Sequence, residues 1–252
     1  MNDPHVVALI YKVLHDESVE YKNATPFRSE SEKFCVVIEN GVARFEMKEH
    51  FSKENDALEA LMPFIRSWEL QANLERGPGE FELAFQKAEI VDRRPTPGVV
   101  ELQSIGIVMT VGTAKITVDR GRYPNPAPHL RVDEDVESMN HRYTNYRRGK
   151  ETLPAIGYFC LTVLEARGGG SRSAAAQIFG VSSQVLGKLG RLTSEKGGKD
   201  ARKSDGRISD YTDAERLWVE TAIRMLIRRA AEIAFDPDQS LAEITMSELP
   251  PL

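Results

Sequence analysis

The sequence predicts an α+β protein, with a mainly antiparallel β domain containing one helix over residues 1–125 and an all-α domain over residues 131–252. Three observations carry this. Apolar and polar residues alternate at strand period through much of the first half. There, an Asn-Gly pair separates two runs rich in β-branched and aromatic residues, a strong short-range hairpin signal. Beyond the prolines at 124, 126 and 128 the apolar residues recur at helical spacing.

The elements follow in chain order. Val6 to Leu14 is nearly all apolar and fits a first strand or a short buried helix, since periodicity does not separate the two. "KFCVVIENGVARFEM" reads as two strands joined at Asn40-Gly41, because both residues accept positive φ. Ser52 is placed to cap a helix carrying Leu58, Leu61, Ile65, Trp68 and Ala72 on one side. Pro63 lies inside that run and predicts a kink or a late start. "EFELAFQKAEIVD" alternates Phe81, Leu83 and Phe85 with polar residues, as a half-buried strand does. "GVVELQSIGIVMTVGTAKITVD" reads as two further strands broken near Gly112.

The proline-rich stretch at about 120–130 is expected to be a linker. "DVESMNHRYTNYRRGK" starts with acids and ends with bases, matching the polarity of a helix dipole. "LPAIGYFCLTVLEARGGG" is nearly apolar and stops at three glycines, so it is expected at the centre of the helical domain. The last long helix opens on a Thr212/Glu215 capping box and ends at Asp236-Pro237.

Composition narrows the function classes. With 41% hydrophobic and 28% charged residues, the chain is of ordinary soluble type. No apolar run approaches the roughly 20 residues that span a bilayer. The N-terminal stretch lacks the basic flank and cleavage site of a signal peptide, so a cytoplasmic location is expected. Cys35 and Cys160 sit in apolar strings, as buried thiols do.

The net charge is −5, but it is segregated. Residues 142–207 carry 13 Lys/Arg against 5 Asp/Glu, between two acidic blocks. The basic block points to DNA or RNA, or to an acidic protein partner.

Within that block, Ser171 to Lys203 has the pattern of a helix-turn-helix, with its two helices over 171–196. Ala176 is the small residue where the first helix nears the second, and Gly180 forms the turn. Val181, Leu186 and Leu189 lock the pair, and Ser182 or Ser183 caps the second helix. Its outward positions are then Ser183, Gln184, Gly187, Lys188 and Arg191. Ser and Gln hydrogen-bond base edges, while Lys and Arg reach phosphate or guanine. Lys199, Arg202 and Lys203 follow as further phosphate contacts. The same spacing also arises where two helices merely pack around a glycine corner, and Gly187 and Gly190 each weaken the second helix by about 1 kcal/mol relative to Ala.

The helical half, from "RYTNYRRGK" through "LGKLGRLTS" to "WVETAIRMLIRR" and "ITMSELPPL", resembles an uncharacterised bacterial protein family, which implies a bacterial origin and no activity. The order of its helices, with a basic corner before a long last helix, is more loosely similar to HEPN-type domains. That resemblance implies RNA binding or pairing with a partner protein. HEPN nucleases carry an Arg followed by a His on one helix, whereas here the corner reads "DARKSDGR" and no His follows His141. The cleavage dyad is therefore missing.

Enzyme motifs are otherwise sparse. Gly187-Lys188 lacks the preceding glycine loop of a phosphate-binding loop. No Gly-x-Ser-x-Gly and no His-Glu-x-x-His occurs, and the five His share no metal-ligand spacing. His141 reads as a surface side chain, and the acids of "DEDVE" as dipole compensation at a helix start. No catalytic residue, metal ligand or cofactor is assigned. The leading expectation is non-enzymatic nucleic-acid binding by the helical half. An adaptor for an acidic protein partner, or an enzyme with an unrecognised site in the sheet domain, are the alternatives.

Overall fold

The computed structural model describes residues 2–95, 118–197 and 209–252. The chain divides into two compact units, a sheet unit (1–65 and 79–125) and a helical unit (66–78 and 126–252). The architecture is α+β.

In the sheet unit, β1 (Pro4–Leu14), β4 (Phe34–Glu39) and β5 (Val42–Met47) form the centre of a five-stranded sheet. Its order is β3-β4-β5-β1-β6, with β3 (Phe27–Glu30) and β6 (Glu82–Asp92) at the edges and every pair antiparallel. The first segment is thus a strand. Its central position buries residues from both faces, including Val6, Ala8, Leu9 and Tyr11, so it shows no alternation from which its type could be read. The hairpin forms as expected: Asn40 and Gly41 take φ of 52° and 74°, and Glu39 pairs with Val42. A short parallel pair, β2 (Val19–Glu20) with β7 (Val118–Asp119), lies outside the main sheet. Of the two strands expected over 98–119, the end at Val118–Asp119 is the strand β7, and the rest falls outside the described residues.

Helix α1 spans Glu54–Arg76 as a single element. It begins two residues after Ser52 and contains Pro63, so neither the cap at Ser52 nor a late start is found. Proline removes one hydrogen bond of the helix, but burial of Ala57, Leu61 and Ile65 on one side outweighs that loss. Phe64 sits edge-to-face with Phe34 of β4, with ring centroids 4.8 Å apart. The second half of α1 belongs to the helical unit, where Leu70 and Leu74 join the core.

The boundary between the units falls within residues 120–130, at 125/126. Tyr123 stacks on Tyr21 at 4.9 Å and its hydroxyl accepts from the Gly41 amide at 3.1 Å. Ala127 and Leu130 are buried in the helical core.

The helical unit contains α2 (Glu134–Arg147), α3 (Leu153–Arg167), α4 (Arg172–Phe179), α5 (Ser183–Glu195) and α6 (Asp213–Phe235). Apolar α3 packs against all four others, which is the central place its composition requires. Asp133 caps α2 and, with Asp135, binds the Arg167 guanidinium, so the acids of "DEDVE" have a structural partner. The capping box at Thr212 and Glu215 is present. Cys35 and Cys160 are buried free thiols, and burial pushes the Cys160 thiol well above its ordinary range. No helix among the described residues is long and apolar enough to cross a membrane.

Candidate nucleic-acid interface

The segment from Ser171 to Glu195 forms two helices joined by a tight turn. Ser171 caps α4, its side chain accepting from the Ala174 amide at 3.3 Å. Gly180 ends α4 in the left-handed region, at φ 53° and ψ 48°. The Val181 amide then donates back to the Ala176 carbonyl at 3.0 Å, satisfying an end group of the helix. Ser182, rather than Ser183, caps α5 by accepting from the Val185 amide at 3.3 Å. Ala175, Ala176, Phe179, Val181, Leu186 and Leu189 are all buried, so the residues expected to lock the pair do so.

Helix α5 is strongly two-sided. Val185, Leu186, Leu189, Leu192 and Thr193 face the core. Gly157 lets α3 approach closely here, since a Cβ at that position would lie 2.6 Å from Thr193 Cγ2. On the other side, Ser183, Gln184 and Arg191 are exposed and Lys188 is half-buried. The spacing 184, 188, 191 puts the last three in one row. Gly187 lies among them, and a Cβ built on it meets no atom within 4 Å. The structure therefore brings Ser183, Gln184, Lys188 and Arg191 together. Lys199, Arg202 and Lys203 lie outside the described residues; the positions bracketing them, Gly197 and Ser209, are joined by a backbone hydrogen bond of 3.1 Å.

Two groups that hold the turn come from segments distant in the sequence. Arg229 of α6 is 7% exposed and donates to the carbonyls of Phe179 (2.8 Å), Gly180 (3.0 Å) and Ala242 (2.8 Å), with Glu232 balancing its charge at 3.0 Å. The C-terminal segment adds a parallel bridge of Ile244 with Val181. Through it, Ser182 donates to Ile244 and Ile244 to Gly180, both at 2.8 Å. The turn is thus fixed from behind by a buried cation and a strand-like contact. The one available clue was Arg229 falling on the apolar side of α6, three residues after Leu226.

Four basic side chains of the block are engaged within the fold. Arg142 pairs with Glu151, Arg167 with Asp133 and Asp135, Arg172 with Glu165, and Lys196 with Glu215. Asp133, Asp135 and Glu215 lie outside residues 142–207, so the sequence excess overstates the free charge on this face. Lys188 and Arg191 have no acid within ion-pair distance among the described residues.

In the sheet unit, His5 and His50 meet although 45 residues separate them, with Nδ1 atoms 3.1 Å apart. Among the described residues no three His, Cys, Asp or Glu side chains group as metal ligands. Comparison with protein-family models, with curated proteins and with solved structures returns no match for this chain.

Proposed function

We propose that the protein binds duplex DNA without catalysis, through the outward side of α5. The observation that supports this most is the row of Gln184, Lys188 and Arg191 on a helix whose start is fixed by the Gly180 turn. A recognition helix has this construction: a buried apolar side, a rigid turn, and short polar groups near its N-terminus. Lys188 and Arg191 neutralise phosphates, and Ser183 and Gln184 reach base edges in the major groove. Gly187 lets the backbone come close to the duplex, because no side chain stands between them.

Fluorescence anisotropy with a labelled mixed-sequence duplex tests this. Binding at about 50 mM salt that weakens steeply by about 200 mM is expected. Salt-independent or absent binding contradicts it. The adaptor reading then takes over, favoured by the internal ion pairs of the basic block and by the exposed Ile178 of α4.

A further inference from the structure

Helix α6 carries a second feature that the α5 face does not use. Leu74 and Glu75 of α1 and Thr221, Arg224, Met225 and Arg228 of α6 line a cavity of about 370 Å³, and all six belong to the helical unit. That volume is within the range of small-ligand sites, roughly 300–1,000 Å³.

The charges in it are unequally matched. Arg228 has a loose ion pair with Glu75, N to O 3.6 Å, and the same carboxylate oxygen also accepts from the Gln71 amide. Arg224 meets no carboxylate among the described residues and donates to the neutral Thr221 hydroxyl at 3.3 Å. With Glu75 already shared by Arg228 and Gln71, the lining residues carry two guanidinium charges against one carboxylate. Arg224 and Arg228 are four residues apart, so both forks project from the same side of α6. Guanidinium forks match the planar or tetrahedral oxygens of carboxylate and phosphate. Leu74 and Met225 supply an apolar wall beside them.

We infer that this cavity is a binding site for a small phosphate monoester, its phosphate on Arg224 and Arg228 and its apolar group against Leu74 and Met225. The site is separate from the α5 face and does not depend on the DNA reading.

Isothermal titration of the full chain with inorganic phosphate and with phenyl phosphate, at constant ionic strength, tests it. Saturable binding is expected for both, tighter for phenyl phosphate. Arg224→Gln is the cleanest variant, because Arg224 pairs with no acid among the described residues, and it should weaken binding about tenfold or more. Arg228→Gln should do likewise, while Lys12→Gln in the sheet unit should leave binding unchanged. Circular dichroism establishes that each variant is folded. Absence of saturable binding up to about 10 mM, or equal binding by wild type and Arg224→Gln, overturns the assignment.

Discussion

The guanidinium of Arg229 stands 3.0 Å from the carbonyl oxygen of Gly180, a residue 49 positions earlier in the chain. This contact joins the longest helix of the helical unit to the turn that aims α5. Arg229 also donates to Phe179 and Ala242, so one buried side chain serves carbonyls on two segments that otherwise have no covalent neighbour in common. Removing it leaves the buried Phe179 carbonyl and the Ala242 carbonyl without this donor, the Gly180 carbonyl with the Ile244 amide alone, and Glu232 without its cation.

Arg229→Met should therefore destabilise the protein by about 3 kcal/mol or more in chemical denaturation. Arg229→Lys should not restore it, because a single ammonium cannot span three carbonyls and a carboxylate as the planar fork does. A loss below about 1 kcal/mol for Arg229→Met would remove this residue from its assigned role.

Two glycines of the same segment should respond with opposite sign. Gly180 has positive φ, and an added Cβ would lie 2.9 Å from Arg229 Nη1. Gly180→Ala is thus expected to cost about 1–2 kcal/mol. Gly187 is helical with open space around it, so Gly187→Ala should stabilise by about 1 kcal/mol. The same substitution should weaken DNA binding if the backbone of α5 closes on the duplex. Thermal unfolding and anisotropy on one sample separate the two effects.

The sheet unit should lose stability on mild acidification. Burial, then the nearby Arg93 and His50, lower the pKa of His5 from its ordinary 6.5, against a smaller opposing effect of Asp3. The folded state then binds protons less readily than the unfolded state. Stability is retained above pH 6.5 and falls as the pH drops through and below it. His5→Gln should flatten this dependence in thermal unfolding between pH 8 and 5. An unchanged slope would contradict it.

Local chemistry was legible in the sequence wherever it decided the structure. Asn40-Gly41 turned as two residues that accept positive φ must. The Thr212/Glu215 box, Gly180 and the buried triad of Val181, Leu186 and Leu189 were each visible from residue type and spacing. Long-range packing was less legible. Pro63 argued against an unbroken α1, yet burial on one side carried the helix through it. The split of α1 between units follows from Leu70 and Leu74 meeting residues more than fifty positions later. On the site itself, the outward row of α5 was readable from helical period. The Ile244 bridge was not, because backbone pairing carries no side-chain signature. Arg142, Arg167 and Lys196 counted as free charge in the sequence, and their partners emerge only in the fold.

The role of Gln184 separates reading of sequence from charge attraction. Gln184→Ala should cost about 1–3 kcal/mol on a duplex chosen by selection and almost nothing on unrelated duplexes. Equal weakening on both would assign it to positioning on the backbone.

The salt dependence of duplex binding tests the central claim most directly, measured for wild type and for Lys188→Gln/Arg191→Gln. Each phosphate contact contributes about −0.9 to the slope of log K against log salt. The double variant, folded by circular dichroism, should weaken binding on all sequences and flatten the slope by about 2 units. A slope identical to that of wild type, with unchanged affinity, would mean that the outward side of α5 does not meet DNA.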